Sequence, residues 1–364
     1  MPFCNFSLAT RQDDQLLRTC LKSNEMKGSI SISFESEPSF FDALDIQGGE
    51  SQVVIAKTDT NKIIGFGVRT INPMYVNGNI RNVGYLSTLR VNSDFRNNTF
   101  LARGYRFFRK LDEDGKVPFY LTTIVEDNLD ARKILESGKA GLPRYTPLDI
   151  LSTSIIKPKL KKMDSEHVVL KGNNFSLEEI VRFINMEGKK KQFHPYYDVS
   201  DFNSPRLRGL EKKDFYVAVE GDEIIGTLAK WDQSSFKQTR VVGYDKRMRI
   251  IRPFINLSSR FSNIPYLPQT GKLLHYFHTA FPTTKDNDPS ILESLLKEIA
   301  SDSKNNDYDY FTIGLTRSDP LREAVKPFSP REYNAIVYLV SFDKSDKKLE
   351  YLNGEIPYLE LGTL

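Results

Sequence analysis

One arginine, a run of unpaired backbone N–H groups and two adjacent carboxylates lie within about thirty residues of each other. Residues 84 to 138 read GYLSTLRVNSDFRNNTFLARGYRFFRKLDEDGKVPFYLTTIVEDNLDARKILESG. Arg96 sits in a polar turn, Ser93 to Asn98, and a helix is predicted from about Thr99 to Leu111. The first N–H groups of a helix have no intrahelical partner. Arg96 and the N–H groups of Asn97, Asn98, Thr99, Phe100 and Leu101 therefore form a site suited to a phosphate. Glu126 and Asp127 follow at the end of a second apolar run, where a carboxylate can take a proton as a general base or, for Asp127, cap the next helix. The four histidines make no metal pattern. His275 and His278 are three apart on a predicted strand and face opposite ways, and His167 and His194 are isolated. No dinucleotide or Walker fingerprint and no Ser–His–Asp arrangement is legible.

The elements that hold these residues alternate. A strand, Tyr85 to Val91, precedes the turn. The helix carries Phe100, Leu101, Tyr105, Phe108 and Leu111 on one face. A second strand runs from Pro118 to Val125, and Asn128 opens a short helix with Ala131, Ile134 and Leu135. A βαβα unit of this kind sets a helix N-terminus beside a strand end.

This stretch resembles the acyl-CoA-binding half of the GCN5-related N-acetyltransferases. The family pattern Val-x-Pro-x-Tyr-Arg-x-x-Gly-x-Gly falls on Val91, Ser93, Phe95, Arg96, Thr99 and Leu101, and Asn-x-x-Ala-x-x-x-Tyr falls on Asn128, Ala131 and Leu135. Thr99 and Leu101 stand where the family has glycines, and Leu135 where it has tyrosine. The resemblance implies acetyl-CoA (acyl-CoA) as co-substrate, with Leu89, Arg90 and Val91 offering a strand edge to its pantetheine arm, and Arg96 and residues 97–101, with Asn128 and Ala131, as its other contacts. It implies acyl transfer to an amine, which needs a base and a thiolate acid. Leu135 cannot donate a proton, so Tyr145 or Tyr120 is the expected acid. Glu126 or Asp127 is the expected base, or else a terminal carboxylate on Leu364, as the duplicated N-myristoyltransferases use.

The remainder of the chain repeats the plan. An opening strand at Ser7 to Thr10, a helix from Asp13 to about Met26 and a short helix at Phe40 to Leu44 are predicted, with no clear period between 28 and 51. A hairpin joins Val53–Lys57 to Ile63–Ile71, and a turn at Asn77-Gly78-Asn79 leads into the unit above. Tyr145 to Ile156 is a strand. KPKLKKMDSEH, with four lysines, reads as a linker. Thereafter Ser176 and Glu179 form a capping box ahead of a helix, and Ile224-Ile225-Gly226 matches Ile63-Ile64-Gly65. GKLLHYFHTAF matches the strand at Tyr85, and Asp288-Pro289 starts a helix. Asp319 takes the place of Asn128, Ile336 to Phe342 is a strand, and Ile356 to Leu361 a strand-like close. Asp286 and Asp288 would repel a pyrophosphate, so the acyl-CoA is expected in the first half alone. Arg247 and Arg249 are expected on one strand face, ahead of a proline-rich loop, 252 to 271.

At 364 residues the chain suggests two domains, 1–157 and 165–364. The fold class expected is α/β, two tandem acyl-CoA N-acyltransferase-like domains of mixed sheet with helices on both faces. The composition is that of a globular protein, 39% hydrophobic and 27% charged, and 51 basic against 47 acidic residues is too even a balance to argue for nucleic-acid binding, so no nucleic-acid partner is expected. No run approaches a membrane span and no signal-peptide pattern opens the chain, so neither membrane nor secretion is expected. Cys4 and Cys20 read as reduced thiols of a cytoplasmic protein. The function expected is acyl-CoA-dependent N-acyltransfer, acetyl in the first instance, to a small-molecule or peptide amine. Two alternatives stand beside it. One is a silent ligand-binding protein. The other is an aminoacyl transferase of the peptidoglycan-bridge type, which should show a helical arm and a basic face.

Overall fold

The computed structural model describes residues 4–95, 98–139, 141–158, 164–259, 261–303, 308–343 and 352–364. In the first half β1 (Cys4–Leu8), α1 (Asp14–Ser23), β2 (Ile30–Glu35), α2 (Phe40–Leu44), β3 (Glu50–Thr58), β4 (Ile63–Val76) and β5 (Asn79–Val91) precede α3 (Asn98–Asp112). β6 (Tyr120–Val125), α4 (Leu129–Leu135) and β7 (Arg144–Ile156) follow. The second half has β8 (Val168–Lys171), α5 (Leu177–Gly188), β9 (Phe215–Glu220), β10 (Glu223–Trp231), β11 (Gln238–Tyr244), α6 (Lys246–Ser258), β12 (Tyr276–Thr284), α7 (Pro289–Asp302) and β13 (Tyr310–Thr316). A 3₁₀ helix (Pro320–Phe328) and β14 (Arg331–Ser341) close it.

Local chemistry explains the helix starts. Asn128 Oδ1 accepts the Ala131 N–H at 3.3 Å, and the Ser176–Glu179 box forms as its sequence predicts. The apolar face of α3 places Tyr105 and Phe108 in one core with Val54 of β3, Leu86 of β5 and Tyr120 of β6, and that of α7 places Leu292, Leu295 and Leu296 on β9, β10 and β12.

The two halves repeat each other down to strand register. Gly65 of β4 pairs with Ala56 of β3 and Val91 of β5, while Gly226 of β10 pairs with Ala218 of β9 and Thr284 of β12. Ile64 and Ile225 therefore hold equivalent positions. The sheet does not separate into two, however. Its order is β1-β3-β4-β5-β6-β14-β7-β13-β12-β10-β9-β8. β14, from the second half, lies between β6 and β7, and β7 reaches across to β13. Each half thus completes the sheet of the other.

A second link is the ribbon of β2 and β11, antiparallel from Glu35–Gln238 to Ile30–Tyr244. It was not legible because the polar alternates of β2 are the buried ones. Ser33 and Glu35 point inward, and Glu35 pairs with Arg240. Two further expectations are corrected. Arg247 and Arg249 are on helix α6, whose Pro253 is inside the helix, and not on a strand. The close of the chain makes no strand, only a bridge from Pro357 to Gln192 and a 3₁₀ turn at Leu361–Thr363. Part of the lysine-rich linker, residues 159–163, lies outside the described residues.

Candidate active site

The sheet opens where β5 leaves β6. The two strands pair in parallel only at Gly84–Tyr120 and Tyr85–Leu121, although β5 continues to Val91. The cause is a bulge. Phe66 pairs with Arg90 but Val68 with Ser87, so Thr88 and Leu89 both stand opposite Gly67. Thr88 has φ +52°, unusual for a β-branched residue. The extra residue bends β5 away from its neighbour, and Thr122 Oγ1 donates to the Leu86 carbonyl at 2.7 Å, in place of the next ladder bond. Sequence reading missed Thr88, since nothing in its type announces a left-handed backbone.

Leu89, Arg90, Val91, Phe100 and Leu101 come together in a cleft between β4, β5 and α3. Gly65 is required there, because a Cβ would stand 2.9 Å from the Phe100 ring. Thr99 is exposed on the first turn of α3. Arg96 and Asn97 lie outside the described residues, as does the side chain of Asn98. Asn128 and Ala131 do not line this cleft. They sit on α4, Asn128 as its cap and Ala131 against the core under α3.

The second half carries the same bulge. Thr227 pairs with Thr283 but Ala229 with Ala280, and Phe281 takes φ +56° in the place of Thr88. β12 and β13 likewise part after His278–Thr312. Here the opening is filled by residues 357–362. The Glu360 carboxylate accepts the Phe281 N–H at 2.9 Å and the Tyr358 hydroxyl at 2.6 Å, and Thr316 Oγ1 donates to the Pro357 carbonyl at 2.7 Å. A Cβ on Gly314 would stand 2.9 Å from Leu361. Glu360 is only 2% exposed, and burial raises its pKa, with the Tyr358 hydroxyl and two N–H groups acting against the rise. Among the described residues no carboxylate accepts from Thr88.

Beyond this plug the tail turns into a second cavity, shared between the halves. Thr70, Asn72, Tyr85 and Leu121 line it from the first half, Glu360 and Leu364 from the tail. A main-chain oxygen of Leu364 accepts from Lys237 Nζ at 2.7 Å. Lys237 as a whole is only half-buried, yet desolvation of its ammonium pushes the pKa down to about 8. Asn72 is buried, donates through Nδ2 to the Gln47 carbonyl at 2.7 Å, and has no partner for Oδ1 among the described residues. The Tyr85 hydroxyl meets Thr123 Oγ1 at 3.1 Å, and burial pushes its pKa up to about 12.

The other candidates are placed apart from this cavity. Glu126 is half-buried at the end of β6 and accepts from Asn334 Nδ2 at 3.0 Å. The Tyr145 hydroxyl pairs with that of Tyr105 at 2.5 Å inside the core, and burial holds its pKa well above the usual tyrosine value. The Tyr120 hydroxyl is locked between Arg69 Nε and Asp112. Leu135 is buried in the same core as Tyr105 and Tyr145. His275 precedes β12, and His278 bonds Thr312 Oγ1 at 2.8 Å. Asp127 is exposed.

No family model and no curated protein matches the chain. Solved structures do. A GCN5-related N-acetyltransferase from Sphaerobacter thermophilus is similar over 94% of this chain and 96% of its own, at 12% identity and a TM-score of 0.54. Saccharomyces cerevisiae N-myristoyltransferase with bound myristoyl-CoA is similar over 99% of this chain and 86% of its own, at 12% identity and a TM-score of 0.62. A GCN5-related glucosamine N-acetyltransferase region of a fungal multi-domain beta-N-acetylglucosaminidase is similar over 94% of this chain and 38% of that one, at 12% identity and a TM-score of 0.61. At such identities the likeness is one of fold, and the fold of this chain, repeated in tandem, is that of the GCN5-related N-acetyltransferases.

Proposed function

We propose that the protein is an acyl-CoA-dependent N-acyltransferase with one acyl-CoA site, in the first of two domains, 1–157 and 165–364. The observation that carries this reading is the unequal fate of the two strand openings. The second is closed by Glu360 on the Phe281 N–H, while at the first the last paired residues of β5 and β6, Tyr85 and Leu121, line the cavity shared with the tail. Leu89 to Val91 would take the pantetheine arm as an added strand, and Arg96 with the first turn of α3 would take the phosphates. The bound thioester supplies the electrophile. The Thr88 N–H, at the bulge, is the donor assigned to its carbonyl oxygen.

The acceptor amine is assigned to the cavity of Asn72, Thr70 and Tyr85. Asn72 Oδ1 offers an acceptor to an ammonium group. The base is a carboxylate, either that of Leu364, the last residue of this sequence, or Glu126. Lys237 would hold the Leu364 group in place. Tyr85 is better placed than Tyr145 to protonate the thiolate, because it lines this cavity. The N-myristoyltransferase likeness leaves acetyl and longer acyl donors both to be assayed. Both cysteines are free and buried, in keeping with a reducing cytoplasm.

Thiol release from acetyl-CoA and myristoyl-CoA over a panel of small and peptide amines tests the reading. Turnover should fall about 10²–10⁴-fold when two glycines are appended after Leu364. Turnover that survives the extension but falls with Glu126→Gln moves the base to Glu126. Tight acyl-CoA binding with no turnover on any amine would replace the enzyme with a binding protein. The seclusion of the Tyr120 and Tyr145 hydroxyls favours that second reading.

A further inference from the structure

Helix α6 exposes an apolar stripe that the described residues leave uncovered. Phe261, Phe254 and Ile250 are 89%, 71% and 70% exposed, the three most exposed large apolar side chains among the described residues, and Leu257 adds 61%. Ile250, Phe254 and Leu257, at i, i+4 and i+7, lie within one narrow arc of α6, and Phe261 stands in the turn beyond its end. The opposite side of α6 is the one that is fastened. Arg252 donates to the Pro268 carbonyl at 3.0 Å, Asn256 exchanges two bonds with the main chain of Leu267 at 2.9 Å each, and Ser259 is buried. The loop that follows therefore folds back under the helix and fixes which face looks out.

Charge singles out the occupant. Lys246 and Arg247, at i−4 and i−3 from Ile250, continue the apolar face at its N-terminal turn, and Arg249 flanks it. All three are exposed or half-exposed. Between Asp245, which caps α6, and Asp286 the sequence has seven basic residues and no acidic one. A second copy of the same face would bring no carboxylate to meet these cations. An apolar stripe set among exposed cations is the pattern of a helix lying in a lipid interface.

We propose that α6 docks the protein on an anionic bilayer surface, with Ile250, Phe254, Leu257 and Phe261 entering the acyl boundary and Lys246, Arg247 and Arg249 meeting the lipid phosphates. This is contact with one leaflet, and among the described residues no helix is long and apolar enough to cross a membrane. The expectation of no membrane partner rested on the want of a spanning run, a criterion that does not detect a surface helix.

The test is co-sedimentation of the full chain with vesicles of phosphatidylcholine alone and of phosphatidylcholine mixed with phosphatidylglycerol. Binding to the mixed vesicles should be about 10²-fold tighter, because each of three basic side chains near an anionic surface contributes about fivefold, and it should weaken with added salt. The combined Ile250→Ser, Phe254→Ser and Leu257→Ser variant should lose binding with an unchanged thermal melt. The native tryptophan, Trp231, is buried, so the indole added by Phe254→Trp is read as the difference from wild type. That difference emission should shift to the blue on mixed vesicles. No sedimentation of the wild type with mixed vesicles overturns the proposal, as does a difference emission that does not move. So does a dimer in sedimentation velocity that the triple variant abolishes, which would make a second copy the occupant. No acyl-CoA enters the assay, so its outcome is separate from that of the acyl-transfer reading.

Discussion

Removing the Glu360 side chain should show how the tail is held in the second strand opening. The carboxylate accepts the Phe281 N–H, the Tyr358 hydroxyl and, at 3.3 Å, the Gly362 N–H. Glu360→Ala strands these donors in the interior. At about 1–3 kcal/mol for each buried donor left unsatisfied, and with the charge's own burial cost removed, the net loss is about 3–5 kcal/mol. Glu360→Gln keeps an acceptor for Phe281 and Tyr358, gives up only the longest bond and buries no charge, so it should fall within about 1 kcal/mol of wild type. At about 2.1 cal/mol/K per residue over the whole chain, melting as one unit, the alanine variant should melt roughly 4–7 °C lower. The glutamine variant should melt within roughly 1–2 °C of wild type. The pH trend has a definite sign. The folded-state pKa of Glu360 is raised, so its contribution is present below the unfolded value near 4.5 and is lost as pH rises through the folded one. Glu360→Gln, which does not titrate, should therefore gain on the wild type as pH rises from about 4.5 towards the folded-state value. Thermal melts of the three proteins at rising pH from about 4.5 decide it. An alanine variant that melts with the wild type would show that Glu360 does not anchor the tail. A glutamine variant as weak as alanine would show that the charge, and not the bonding pattern, is what matters.

Two further outcomes follow from the same geometry. Arg96→Ala should weaken acetyl-CoA binding about tenfold to a hundredfold, the value of a charge-assisted phosphate contact, while Arg317→Ala, after β13 in the plugged half, should change it little. Calorimetry on both variants separates these, and equal losses would refute the one-site assignment. The lowered pKa of Lys237 means that the unfolded chain holds a proton the native state has lost between pH 8 and 10.5, so stability rises with pH there. The wild type should gain up to about 3 kcal/mol on Lys237→Met over that window by urea unfolding, and a difference that stays flat would show the ammonium is not enclosed.

Much of the fold was legible because its signals are local. Asn128 and Ser176 cap their helices by contacts three residues away, and the Asn77-Gly78 turn fixes its own hairpin. The unit from Gly84 to Val125 has both its strands and its helix where the apolar spacing puts them. What escaped depends on partners far along the chain. β14 reads as a strand from its own residues, but its place between β6 and β7 is set by pairing across some 200 positions. Tail residues 356–361 looked strand-like because Ile356, Leu359 and Leu361 are apolar, yet they are buried as a plug with one carboxylate among them. The proline and serines of 252–262 suggested a loop, whereas Arg252, Asn256 and Ser259 recur at helical spacing on the side that α6 keeps inside. At the candidate site, Leu89 to Val91 and Phe100 to Leu101 came together as their order suggested. Thr88, Asn72, Tyr85 and Lys237 did not stand out, since a bulge, an unpartnered amide oxygen and a shared cavity are properties of assembled strands.

A crystal structure of the protein with acetyl-CoA tests the central claim most directly. One molecule should be bound per chain, its pantetheine along Leu89–Val91 and its phosphates at the start of α3, with Glu360 still on the Phe281 N–H. A molecule along Phe281–Thr284 with the tail displaced, or none at a saturating concentration, would contradict it.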